Sequence, residues 1–305
     1  MMSTFDPDAL ECLAAIVEEG GFERAAVRLS ITQSAVSQRL RSLEAAVGTV
    51  LIVRSRPLKA TAAGQLLLKH TKQMRLLRAD LERDLKELAP SGSGGREEER
   101  VSIAINADSI ATWALDALGE LVREGLPLEI ITDDQDFTQE WLREGQVLGC
   151  VTTLKQALRG CKVAPLGAMK YVVVCAESMR ASSLFDLKKG LTAHNFNQVP
   201  FIAFNRKDDM QTEFVAQAFG LKRVNLRQLF VPGSQAQVQA VRDGWGVSVL
   251  PQLTVQPWLD SGEFVNLLPA FSLPVQLYWH CWNLQSDVLD NLTYSLKECA
   301  AKRLK

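Results

Sequence analysis

The chain is poor in the residues that most enzyme and metal sites need. Its 305 residues include three histidines: His70 in a helical stretch, His194 in a polar loop and His280 within an aromatic strand. No Gly-x-Ser-x-Gly motif, post-strand Gly-x-Gly-x-x-Gly motif or phosphate-binding loop occurs, so the common nucleophile and nucleotide signatures are absent. The six cysteines, Cys12, Cys150, Cys161, Cys175, Cys281 and Cys299, form no Cys-x-x-Cys pair and have no zinc-site spacing. They read as reduced, mostly buried thiols. No run approaches the ~20 apolar residues that span a bilayer. Acids (Asp6, Asp8, Glu11) stand where a signal peptide needs positive charge. The formal net charge is −1, so the whole chain shows no preference for nucleic acid or membrane. A cytoplasmic protein of two or more domains is expected, with no metal and no cofactor.

What is present is unevenly distributed. Residues 21–60 carry seven basic side chains (Arg24, Arg28, Arg39, Arg41, Arg54, Arg56, Lys59) against two acids (Glu23, Glu44). A basic patch on a neutral chain localises an anionic partner. Residues 5–58 read as short helices and a hairpin. "DPDALECLAAIVEEG" has a helical apolar stripe ended by glycine, and "FERAAVRL" is a second helix. Ser30-Ile31-Thr32 is a turn with Thr32 as N-cap of a third helix, and "VLIVRSRPLKAT" is a short hairpin. Residues 61–88 form a long helix capped by Thr61. Leu67, Met74, Leu81 and Leu88 make an imperfect heptad seam on it, suited to dimerisation or to packing on its own domain. "APSGSGGREEER" at 89–100 has linker composition. From 101 onward apolar strands alternate with helical stretches, which predicts α/β architecture with mainly parallel sheets in two lobes. There is no internal repeat.

The stretch "TQSAVSQRLRSLE" (32–44) concentrates the chemistry. On a helical wheel Val36, Leu40, Leu43 and Val47 fall on one side. Ser34, Gln38 and Arg41 fall opposite, with Ser37 and Arg39 on the flanks. Short side chains near the N-terminus permit close approach. A glutamine amide can pair with adenine, and arginine with guanine or phosphate. Taken alone, such a face is more often simply solvated. With the preceding helix, the three-residue turn and the basic hairpin, it predicts a helix-turn-helix that enters the major groove of double-stranded DNA. Gln33, Ser34, Ser37, Gln38, Arg39 and Arg41 are the candidate contacts, and Arg54 and Arg56 on the hairpin reach phosphate or the minor groove.

Residues 22–64 resemble the winged helix-turn-helix of LysR-type transcriptional regulators. Ala25-Ala26, Thr32 to Ser37, Leu43-Glu44, Gly48, Leu51, Arg54 and Thr61-Ala62-Ala63-Gly64 carry the likeness. The resemblance extends over the whole chain. It implies a winged helix-turn-helix at 1–60, a linker helix at 61–88, a flexible linker at 89–100 and a periplasmic-binding-protein-like effector domain at 101–305. Lobe I of that domain is expected at about 101–169 and 269–305, and lobe II at about 170–268. Most members read Ser-Arg-Gln where this chain has Ser37-Gln38-Arg39. The observed order places the amide toward bases and the guanidinium toward phosphate. "NADSIATW" (106–113), "DDQDFTQEWLREGQVLG" (133–149), "LGAMKYVVV" (166–174), "DDMQTEF" (208–214), "LYWHCW" (277–282) and the Gln-Arg order itself resemble the ArgP/LysG subgroup. Its members respond to lysine and arginine and control their export or metabolism. Further implications are a homodimer or homotetramer, promoter DNA and RNA polymerase as partners, and a cytoplasmic, nucleoid-associated location.

In a two-lobed α/β domain ligands sit at the carboxyl ends of strands, between lobes. Asn106, Asp108 and Ser109 follow one strand, and Thr152 and Thr153 a second. Phe204, Asn205, Asp208 and Asp209 follow a third, and Ser234 a fourth. An amino-acid carboxylate suits hydroxyls and helix N-termini (Ser109, Thr153, Ser234). A basic side chain needs a carboxylate (Asp108, Asp134, Asp208, Asp209). Phe204 could pack on the aliphatic stem. For any one residue, helix capping or core packing is at least as common a role. The alternatives are the same fold sensing another small molecule or thiol redox state, and, more remotely, an amino-acid-metabolising enzyme.

Overall fold

A computed structural model describes residues 5–53, 58–88, 100–132, 138–181 and 185–304. The chain begins with three helices. α1 (Pro7–Glu18) is capped by the Asp6 carboxylate, which accepts from Asp8 N at 3.1 Å, with Pro7 in the first turn. α2 (Phe22–Arg28) ends in a Schellman motif: Ser30 N donates to Val27 O and Ile31 N to Ala26 O, each at 3.1 Å. The motif needs a left-handed residue, and Ser30 fills it at φ 55°, the one non-glycine described with positive φ. α3 (Gln33–Val47) starts at Thr32, whose Oγ1 accepts from Ala35 N at 3.2 Å, and stops at Gly48 with φ 81°. Leu10, Leu13, Ile16, Ala25, Val36, Leu40 and Leu43 form a core closed by Leu51 and by Leu68 of the next helix.

β1 (Ile52–Val53) and β2 (Lys59–Ala60) pair antiparallel as the base of a hairpin. α4 (Ala62–Leu88) follows. Thr61 joins hairpin to helix: its Oγ1 donates to Val50 O at 2.8 Å and accepts from Gly64 N at 3.1 Å. Gly64 lets the helix touch the strand, because a Cβ there would stand 2.2 Å from Leu51 O. Glu44 Oε1 accepts from Leu51 N at 2.9 Å. Threonine, glycine and glutamate at these positions thus hold the hairpin against α3 and α4.

α4 also meets the larger domain. Leu76 enters that domain's core, Lys72 Nζ donates to Gln146 O at 2.9 Å, and a Cβ on Gly145 (φ 70°) would stand 2.6 Å from Lys69 Cβ. On its other side Arg75 bonds to Glu11, with Nε at 2.9–3.0 Å, and to Glu18 at 3.1 Å.

The larger domain is built on β3 (Val101–Ala104), β4 (Leu128–Ile131), β5 (Gly149–Thr152), β6 (Cys161–Ala176), β7 (Pro200–Ala203), β8 (Arg227–Phe230), β9 (Ser248–Pro251), β10 (Phe264–Asn266) and β11 (Leu273–Trp282). The helices between them are α5 (Ala107–Ser109), running through a π turn (Ile110–Ala114) into α6 (Leu115–Arg123), then α7 (Thr138–Arg143), α8 (Glu177–Ala181), α9 (Met210–Phe219), α10 (Ser234–Arg242), α11 (Gln252–Ser261) and α12 (Asp287–Arg303). Seven strands share one sheet, in the order β10-β6-β11-β5-β3-β4 with β9 also on β6. β6 changes partners along its length: Cys161 to Tyr171 pair with β11, Tyr171 to Val174 with β9, and Val174 to Ala176 with β10. β7 and β8 form a separate parallel pair, bridged to Val247 through Phe201.

The α/β class and the long helix are as expected. Mainly parallel sheets are not found. β3 is parallel to β4 and β5, but β11 runs antiparallel between β5 and β6, and β9 and β10 are antiparallel to β6. Alternating sequence patterns identify strands but not which distant strand will lie between two others.

Candidate functional site

The exposure of α3 follows the wheel. Val36, Leu40 and Leu43 are buried, and Val47 packs on the same core. Gln33, Ser34, Gln38 and Arg41 are exposed, and Ser37 and Arg39 are half-buried. Thr32 and Ser34 share a hydroxyl contact of 2.9 Å. Arg41 Nε donates to Ser37 O at 3.2 Å, which lays the guanidinium along the helix. Arg39 is turned away from the Gln38 face. It pairs with Asp8 of α1 at 3.0 Å, so in the free chain its charge serves α1–α3 packing, and meeting a phosphate requires leaving Asp8. Arg54 and Arg56 lie outside the described residues.

The second group of polar residues gathers where strands end. Ala104 of β3 pairs with Cys150 of β5 in parallel register, so Asn106 and Thr152 emerge level with one another. β7 and β8 likewise run parallel, ending toward Asp208 and Ser234. The two halves meet at Asp108. Its Oδ1 accepts from Ser234 Oγ at 2.7 Å and its Oδ2 from Tyr171 OH at 2.8 Å. Asp108 is half-buried. Burial pushes its carboxyl above the ordinary 3.8, the bonds from Ser234 and Tyr171 pull it back, and the charge of Asp208 adds to the rise. Beside it Asn106 Oδ1 and Ser109 Oγ are buried without a hydrogen-bond partner among the described residues, as is Gln237 Nε2, one turn into α10 from Ser234. Native proteins rarely bury such atoms unsatisfied.

The other candidates divide. Thr152 Oγ1 donates to Gln139 Oε1 at 2.8 Å and accepts from Leu154 N at 3.3 Å, fixing the loop that carries Thr153. Asp208 caps α9: Oδ1 accepts from Met210 N and Oδ2 from Phe204 N, both at 2.9 Å. Asn205 Oδ1 accepts from Lys207 N at 2.7 Å, closing its own turn, and Phe204 is half-buried in that loop. Asp209 is exposed and makes no cap bond. Asp134 lies outside the described residues. Sequence reasoning missed Tyr171, Gln139 and Gln237. Tyr171 left a signal, since a phenol in an apolar strand needs a partner for its hydroxyl. An open depression of about 420 Å³ lies elsewhere, lined by Phe196, Asn197, Asn225, Leu226 and Arg227 at the amino end of β8. It offers no carboxylate, and the strand end that delivers Ser234 is the opposite one.

Neither alternative chemistry finds support. Burial pushes all six thiols upward, Cys175 to about 12, so none is held as a reactive thiolate. His280 is fully buried with Nε2 2.7 Å from Leu154 O, and burial pushes its pKa down.

Residues 7–65 match the family described as bacterial regulatory helix-turn-helix protein, lysR family, and residues 94–297 match the LysR substrate binding domain. The chain is 38% identical over 299 residues to the HTH-type transcriptional regulator LysG of Mycobacterium bovis, covering 97% of this chain and 94% of that one. Among solved structures it superposes on ArgP from Mycobacterium tuberculosis with a TM-score of 0.84, at 37% identity over 99% of both chains. It also superposes on full-length LysG from Corynebacterium glutamicum with bound effector Arg, with a TM-score of 0.74 at 32% identity over 98% of this chain and 99% of that one.

Proposed function

The chain belongs to the LysR family of bacterial helix-turn-helix transcriptional regulators, and on that premise we propose that it reads double-stranded promoter DNA with α3 and senses lysine or arginine in the cleft at Asp108. The observation that carries the effector reading is the Asp108 carboxylate, bonded among the described residues only to hydroxyls from Ser234 and Tyr171. A half-buried carboxyl with no cation bonded to it among the described residues suits the charged end of a basic amino acid. Ser109 and the amino end of α10 suit an α-carboxylate. LysG of C. glutamicum, at 32% identity, holds Arg as its effector. Titration calorimetry of the full-length protein with arginine, lysine and neutral amino acids tests this. Saturable binding of arginine or lysine alone is expected, and binding of neither ends the effector reading while leaving DNA binding untouched.

On α3, Gln33, Ser34, Gln38 and Arg41 form the exposed face that meets bases and phosphate, with Ser37 at its edge. Arg54 and Arg56, outside the described residues, are kept as candidate phosphate contacts on sequence grounds alone. Arg39 joins only by leaving Asp8. The dimer is built on α4. Leu67 packs on the winged-domain core instead of joining a free seam. The stripe left to solvent is Leu66, Met74, Leu77, Leu81 and Leu85, each between 43% and 72% exposed. Five large apolar side chains along one helix face suit a second copy of the same helix. Two recognition helices then meet half-sites about one helical turn apart. Pairing of two such dimers and contact with RNA polymerase in the cytoplasm complete the proposed assembly. Sedimentation checks the first step: Leu77→Glu with Leu81→Glu is expected to give monomers, and an unchanged mass assigns the dimer elsewhere.

A further inference from the structure

α7 is tied at both ends. At its amino end Thr138 Oγ1 donates to Val151 O at 2.6 Å, and Gln139 Oε1 accepts from Thr152 Oγ1 at 2.8 Å. Both partners belong to the carboxyl end of β5, the strand end that emerges level with Asn106. Leu142 is fully buried in the effector-domain core, so the helix cannot slide on the sheet without losing that packing. Its carboxyl end stops in a Schellman motif: Gly145 N donates to Leu142 O at 3.2 Å and Gln146 N to Trp141 O at 2.8 Å. That motif touches α4. Gly145 lies so close that a Cβ on it would stand 2.6 Å from Lys69 Cβ and 2.8 Å from Lys69 Cα. Gln146 O accepts from Lys72 Nζ at 2.9 Å, and about one turn further along α4 Leu76 is buried in the same core. Beside Leu76, Arg75 bonds to Glu11 and Glu18 of α1. One short helix thus joins the strand end at the candidate cleft to the helix that carries the winged unit.

We propose that α7 is the relay through which the effector domain acts on the winged unit, with Gly145 and Lys72 as its positioning residues. A ligand that shifts the end of β5 shifts Thr138 and Gln139 with it. The packed helix carries that shift to Gly145 and Gln146, and α4 passes it to α1 through Arg75. Chains of close-packed, rigid elements carry coupling in this way, because a packed contact does not absorb a small displacement. The relay rests on the basic-amino-acid reading above and adds the path by which ligand and DNA sense each other.

The test is a binding cycle on the full-length protein. Affinity for a duplex selected from a random-sequence pool is measured with and without saturating arginine or lysine, whichever binds. Amino-acid affinity is then measured with and without the duplex. Linkage makes both ratios one coupling factor, and about fivefold or more is expected for the wild type. Gly145→Ala pushes a Cβ into Lys69, and Lys72→Met removes the bond to Gln146 O while keeping the aliphatic stem. Each is expected still to bind amino acid and duplex, which reports both domains folded, while the factor falls to about twofold or less. Lys72→Arg keeps a donor there and is expected to retain the coupling. If Gly145→Ala binds neither ligand, Lys72→Met decides alone. A wild-type factor in the variants that bind both ligands overturns the relay and assigns the coupling to another contact. Amino acid that binds the wild type without changing its duplex affinity also overturns it, while the effector reading stands. Failure of arginine and lysine to bind at all removes both.

Discussion

The α3 face and the Asp108 cleft are made of the same materials, hydroxyls, amides and charges, in opposite surroundings. On α3 the functional groups stand in water, and the apolar stripe beneath them does the folding. Nothing in the domain core depends on Gln38 or Arg41. At Asp108 the proposed ligand groups are themselves packing elements: Asp108, Tyr171 and Ser234 hold a short helix, a long strand and a longer helix to one another. Fold and function are separable on the first surface and fused in the second.

The sharpest break in this contrast is Gly64, which lies in the winged unit but has no freedom. Gly64→Ala drives a Cβ to 2.2 Å from Leu51 O and is expected to cost about 3 kcal/mol or more of stability, read from the denaturant midpoint of the winged unit. Next comes the cleft. Tyr171→Phe leaves one oxygen of Asp108 without its donor and is expected to cost ~1–3 kcal/mol in chemical denaturation, even with no ligand present. Arg41→Ala is expected to do the reverse. Affinity for a duplex selected from a random-sequence pool should fall about tenfold and the salt slope by about one, with the unfolding midpoint unmoved. If Arg41→Ala unfolds the protein, or Tyr171→Phe is silent, the separation fails. The smallest effect is a gain. Ser30→Gly relieves a left-handed serine and should raise stability by ~0.5–1 kcal/mol, visible as a slightly higher melting temperature.

The same contrast explains what could be seen beforehand. The winged unit is more local: its turn and its caps at Thr32 and Thr61 bond within three residues, and the stripe of α3 packs on the neighbouring α1 and α2, so periodicity and capping rules reach them. The cleft is assembled from segments more than a hundred residues apart, Asp108 against Ser234. Strand ends pointed to Asp108, Ser234, Thr152 and Asp208, but pairing decided which of them meet. Asp209 stays exposed, while its neighbour Asp208 bonds the first N–H of α9. Gln237 was invisible because an amide inside an amphipathic helix looks like an ordinary surface residue. The pairing of Arg39 with Asp8 escaped the wheel, since a wheel describes one helix and not its neighbour.

The sixteen residues of β6 carry a mechanical consequence. One continuous strand is a structural member of both halves of the effector domain, like a beam built into two walls. A displacement of one half against the other must twist that strand or break its ladder. Heating should meet the same constraint, with both halves giving way in one transition.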